Sequence, residues 1–93
     1  MKLKEIIANK LGTVIDVRTP EELLLGSFPD SVNIPVQQIR GKIEEIKKMK
    51  GPIVFYCQSG NRSGMAIQIL KSAGLNTGMY NGGGYYDMLT LIN

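Results

Sequence analysis

Ninety-three residues, 43% hydrophobic and 20% charged, suffice for one globular domain over residues 1–93, with no composition shift, linker or internal repeat inside it. A chain this short buries about 60–65% of its unfolded surface, so every apolar segment must serve a single core. The net charge of +3 arises from eleven basic and eight acidic residues that are interspersed rather than blocked, which excludes a nucleic-acid footprint.

The first apolar positions, Leu3, Ile6, Ile7 and Leu11, recur at helical spacing, and Gly12 stops that helix. Thr13-Val14-Ile15-Asp16-Val17 follows as a short β-branched strand, of the kind that is covered on both faces. Thr19-Pro20-Glu21-Glu22 then carries a helix-start signal. Thr19 can cap, Pro20 suits the first helical position, and Glu22 completes a capping box for a brief helix ending near Gly26.

Ser31-Val32-Asn33-Ile34 reads as a second short strand closed by Pro35. Val36, Ile39, Ile43, Ile46 and Met49 mark an amphipathic helix with a weak point at Gly41, broken by Gly51-Pro52. The Lys47-Lys48-Met49-Lys50 run behind Glu44-Glu45 is a solvated helix face. Pro52 to Cys57 forms the strongest strand signal. After a Gly/Ser/Asn loop comes a helix with Ala66, Ile69, Leu70 and Ala73 inward and Gly74 as its stop. A weaker strand covers Thr77 to Tyr80. A turn at Gly82-Gly83-Gly84 leads to a closing helix with Tyr85, Met88, Leu89 and Ile92, and ordinary packing is expected for at least one of Tyr85 and Tyr86.

Strands separated by helix-length connections predict an α/β fold, a parallel sheet with helices on both faces. Ligands of such folds bind beyond the carboxyl ends of the strands. That directs attention to the residues after Val17 and after Tyr56.

One cysteine and no histidine exclude an internal disulfide, a Cys-rich zinc site and every Cys–His or Ser–His arrangement. No metal and no cofactor are expected. The opening Met1-Lys2-Leu3-Lys4-Glu5 lacks the apolar stretch of about 7–15 residues that export requires. No apolar run approaches the ~20 residues of a membrane span, so the expectation is a cytoplasmic protein with neither membrane nor nucleic-acid partners.

Cys57-Gln58-Ser59-Gly60-Asn61-Arg62-Ser63 joins the strongest strand to a helix. Small residues there let successive backbone N–H groups turn inward as an anion cradle, reinforced by the helix amino terminus. A cysteine at its mouth has its thiolate stabilised, and the thiolate is the nucleophile. Arg62 adds a guanidinium suited to an oxyanion. Set against this is an inert Cys57, a small hydrophobe at the end of a buried strand.

The motifs taken in order resemble the rhodanese family. Ile15-Asp16-Val17-Arg18-Thr19-Pro20-Glu21-Glu22 is similar to its amino-terminal signature, and Gly26 to Pro35 to its G-H-I-P-G-A-x-N-I-P stretch. Val54 to Cys57 with Arg62-Ser63 resembles the catalytic strand and loop, and Gly83-Gly84-Tyr85 the closing glycine motif. The resemblance runs from about Val14 to Met88 and implies a rhodanese-like sheet of four or five strands. It implies a sulfurtransferase of the thiosulfate type, in which Cys57 carries a persulfide. Gln58, Ser59, Gly60, Asn61, Arg62 and Ser63 would bind the donor, and Asp16 and Arg18 would lie at the pocket wall with a structural role. The donor implied is a small sulfur-containing anion. The acceptor implied is cyanide, a thiol or a partner protein.

The chain departs from the pattern at Ser27, where His is frequent, at Asp30, where Gly is frequent, and at Met88, where Trp is common. Its opening helix also leaves out the family's short first strand, which predicts four strands. Two other readings follow from the same resemblance. A sulfur relay or a non-catalytic interaction module would use the fold without free turnover. A cysteine-dependent phosphatase would need a C-x5-R loop, one residue longer than the C-x4-R present here.

Overall fold

A computed structural model describes residues 2–92. The chain runs α1 (Leu3–Ala8), β1 (Thr13–Asp16), a 3₁₀ turn (Glu22–Leu25), β2 (Val32–Asn33), a 3₁₀ segment (Val36–Lys42) leading into α2 (Ile43–Lys47), β3 (Ile53–Cys57), α3 (Asn61–Ser72), β4 (Met79–Gly84) and α4 (Tyr85–Thr90). The four strands form one parallel sheet in the order β2-β1-β3-β4. It lacks an additional first strand among the described residues, as the opening helix predicts.

The central strand β3 is buried along its whole length, and its period of two divides the core between the two faces. Ile53, Phe55 and Cys57 pack with Ile39, Ile46, Ala66 and Leu70 on one side. Val54 and Tyr56 pack with Ile6, Ile7, Phe28 and Met88 on the other. Each fully buried Ile, Leu or Phe contributes about 1.5–3 kcal/mol. The register places Asp16 beside Tyr56 and Cys57 beside Gly84, so the chemistry-bearing residues gather at the carboxyl edge of the sheet.

Four local expectations are corrected. The segment after Thr19 is a 3₁₀ turn rather than an α-helix, although its capping box forms, with Thr19 N donating to Glu22 Oε1 at 3.0 Å and Glu22 N to Thr19 Oγ1 at 3.4 Å. The predicted helix from Val36 begins as a 3₁₀ segment and becomes α-helical only after Gly41. In α3 Ala66, Ile67 and Leu70 are buried and Ile69 packs partly buried against the core, while Ala73 is exposed beside the left-handed Gly74 that ends the helix. Gly82-Gly83-Gly84 is strand rather than turn, the end of β4, carrying an irregularity in its pairing with β3.

The departures at Asp30 and Met88 have simple accounts. Asp30 adopts a left-handed φ of 63°, a conformation that glycine and, among other residues, Asn and Asp tolerate best. Met88 is fully buried and fills the α4 side of the core. Ser27 is exposed.

Candidate active site

Cys57 ends β3, and its residue surface is 0% exposed. The backbone N–H of Gly60 donates to its Sγ at 2.9 Å. Gly60 makes this turn with φ 101°, and a side chain there would crowd Gly83 of β4, so glycine suits the position on both counts. Gly84 is similarly constrained, since a Cβ would strike the Gln58 carbonyl. The last glycines of β4 thus let the loop from Cys57 to Arg62 lie directly against the sheet.

Ser63, the third residue of α3, is fully buried. Its hydroxyl lies 3.6 Å from Cys57 Sγ, 3.0 Å from the Gly60 carbonyl and 2.7 Å from Asn81 Oδ1. One hydroxyl proton therefore faces three acceptors. Asn81 is oriented by donating to the Gly60 carbonyl at 3.0 Å and accepting from Gly83 N at 2.9 Å, which clamps the loop to β4. Sequence reasoning missed Asn81, because it lay between the expected strand ending at Tyr80 and the expected turn beginning at Gly82.

Burial raises the affinity of the Cys57 thiol for its proton. The Ser63 backbone and hydroxyl and the Ser59 and Gly60 backbone act in the opposite direction and outweigh it, so the thiol titrates below its ordinary range. A group whose folded pKa is depressed lends stability that is complete above its unfolded value, near ~8.5 for a thiol, and lost as pH falls through the folded value. Alkylation of native Cys57 by iodoacetamide should consequently show a midpoint below ~8.5. A midpoint at or above that value would mean that burial dominates.

Asp16 and Arg18 are almost wholly buried, at 0% and 1% exposed. Arg18 Nε and Nη2 donate to the Asp16 carboxylate at 2.8–3.1 Å, and Arg18 N donates to Asp16 Oδ1 at 2.9 Å. The remaining Arg18 donors reach the Gly26 carbonyl at 2.8 Å and Gln58 Oε1 at 3.3 Å, which joins the segment after β1 to the loop after Cys57. The guanidinium lies 4.8 Å from the centre of the Tyr85 ring and 5.5 Å from that of Tyr56. Tyr56 donates to Asp16 at 2.6 Å; burial, then this bond, holds its hydroxyl protonated above the usual range. Tyr85 is half-buried, and Tyr86 is 70% exposed.

Arg62 makes a two-point ion pair with Glu22, Nη1 to Oε1 at 2.6 Å and Nη2 to Oε2 at 2.8 Å. The hydrogen bond to Arg62 lowers the Glu22 pKa to about 2, against the opposing effect of burial, and bonds from Thr19 assist. Glu22 had been legible only as a capping residue. Asn61 opens α3 and is exposed. Among the described residues, no group of three or more His, Cys, Asp or Glu is placed to hold a metal ion, and no helix is long and apolar enough to cross a membrane.

A buried cysteine at the carboxyl end of a central parallel strand, with backbone N–H groups of the following loop turned toward its sulfur, defines a class of α/β proteins. Within that class the chain belongs to the rhodanese family, since the model of the rhodanese-like domain matches residues 2–87. It is 31% identical over 98 residues to the thiosulfate:glutathione sulfurtransferase of Homo sapiens, spanning 91% of this chain and 84% of the relative. It is 38% identical over 61 residues to a sulfurtransferase of Allochromatium vinosum, covering 66% of this chain and 56% of that protein. The solved structure of a human single-domain sulfurtransferase superposes with a TM-score of 0.76 at 28% identity, over 95% of this chain and 89% of the other.

Proposed function

We propose that this protein is a sulfurtransferase that moves sulfane sulfur from a donor such as thiosulfate to a thiophilic acceptor such as cyanide or a thiol, through a persulfide on Cys57. The observation that carries this reading is the 2.9 Å hydrogen bond from Gly60 N–H to Cys57 Sγ. Together with the bonds from Ser63 and Ser59 it favours the thiolate of a fully buried cysteine, whereas an inert core thiol has no such donors aimed at it.

The steps balance without an added oxidant. The Cys57 thiolate attacks the outer sulfur of thiosulfate, the S–S bond of the donor breaks, and sulfite leaves with the bonding pair. Cys57 is left as a persulfide anion whose charge lies on the transferred outer sulfur, one S–S bond beyond Sγ, and the N–H groups of the loop serve to stabilise it there. Cyanide then takes the terminal sulfur as thiocyanate, and the thiolate returns. No general base is needed, which suits a chain without histidine. In this reading Gln58 to Ser63 bind the donor, Arg62 orients its anionic end, and Asp16 with Arg18 hold the wall of the site. The names of the relatives support sulfur transfer of this kind.

The test is turnover. Thiosulfate with cyanide should yield thiocyanate at a rate that scales with protein, and an aryl phosphate should not be hydrolysed. Phosphatase activity dependent on Cys57, without thiocyanate production, would reverse the assignment.

A further inference from the structure

We infer that Glu22 is a specificity-determining residue, which offsets the charge of Arg62 and so weakens doubly charged sulfur donors relative to singly charged ones. The inference rests on the sulfur-transfer reading above. Both guanidiniums of the site are matched by carboxylates, Arg18 by the buried Asp16 and Arg62 by Glu22. The two pairs differ in access. Arg18 is 1% exposed and locked, whereas the Arg62 and Glu22 side chains are 32% and 29% exposed and open to solvent.

Arg62 belongs to the cradle loop, and its charge is favoured first by the hydrogen bond to Glu22 and to a lesser degree by the Cys57 thiolate. Glu22 takes one donor from each terminal nitrogen, and the other N–H groups of the fork stay available to a substrate. The carboxylate therefore fixes the direction in which Arg62 presents its remaining donors, while subtracting its charge from the field at the thiolate. A carboxylate with a pKa of about 2 keeps that charge throughout the neutral range. Glu22 acts through Arg62, as a positioning residue. Its own anchor is the capping box, whose bonds to Thr19 hold it at the start of an otherwise exposed turn.

The experiment compares wild-type protein with Glu22→Gln and Glu22→Asp. Glutamine retains the acceptor for Thr19 and removes the charge, and aspartate retains the charge. Inorganic sulfate, a dianion with no sulfur to transfer, is titrated while the amide resonances of the cradle loop are followed by NMR. Glu22→Gln should bind sulfate about fivefold more tightly, as expected for unmasking one partly exposed charge, with a steeper dependence on salt. Glu22→Asp should resemble the wild type. In turnover, Glu22→Gln should lower KM for thiosulfate by a similar factor, leave kcat little changed, and affect the singly charged methanethiosulfonate less. Equal or weaker sulfate binding by Glu22→Gln, including no saturable binding by either protein, would overturn the inference. So would an equal KM shift for both donors. Sulfate binding does not depend on sulfur transfer, so an enhancement without turnover would uphold the electrostatic role of Glu22 and count against the sulfurtransferase reading alone.

Discussion

Asp16→Ala is expected to destabilise the protein by about 3–5 kcal/mol, the usual loss when one partner of a buried ion pair is removed. The substitution strips the Asp16 contacts from Arg18 and leaves a guanidinium that is 1% exposed without its counter-charge. It also removes the acceptor of the Tyr56 hydroxyl, in the middle of the second core cluster. Small domains have about 5–15 kcal/mol in total, so much of the stability rests on this one carboxylate. Urea unfolding measures it as a lower midpoint at unchanged slope. By contrast, Glu44→Ala removes only an ion pair whose carboxylate is 81% exposed, and should move the midpoint little. A loss from Asp16→Ala no larger than that control would mean that Arg18 finds other partners.

Cys57→Ser has the largest expected effect on activity. The serine hydroxyl is close in shape, can accept the Gly60 N–H and stays protonated at neutral pH, so the fold should survive while the nucleophile is lost. Thiocyanate formation should fall by at least about a thousandfold, the scale seen when a covalent nucleophile is removed. Turnover equal to wild type would show that another group carries the sulfur.

How far these features could be read from the sequence depends on the range of the interactions behind them. The β-branched run at Ile15 and the apolar run from Ile53 to Cys57 announce strands because both faces are covered, and the structure has them in neighbouring parallel positions. The small residues after Cys57 announce a curled loop, since few other residues can turn as Gly60 does at φ 101°. The three glycines from Gly82 give no such guidance. A glycine run has low strand propensity, yet it pairs with β3 here, and glycine is required because a side chain would collide with Met88, Asp87 or the Gln58 carbonyl. The segment from Val36 has a helical period, yet its first turns tighten to 3₁₀ while still burying Val36 and Ile39. Tertiary packing decides that choice.

Pairs distant in sequence were the least legible. Arg62 and Glu22 are separated by 40 positions, and nothing local to either one signals the other. Asn81 holds Gly60 from 21 positions away in a strand that the glycines disguised. Asp16 and Arg18, by contrast, lie two residues apart at the end of a strand, and their mutual pairing is local. The wider network they form with Tyr56, Gln58 and Gly26 depends on the parallel register.

The most direct test of the central claim is the mass of the intact protein after incubation with thiosulfate and removal of excess donor. The account predicts a gain of one sulfur atom, located by peptide mapping to Cys57, absent from Cys57→Ser, and released by cyanide as an equivalent of thiocyanate. An unchanged mass in protein that nonetheless turns over thiosulfate, or an adduct that survives in Cys57→Ser, would contradict it.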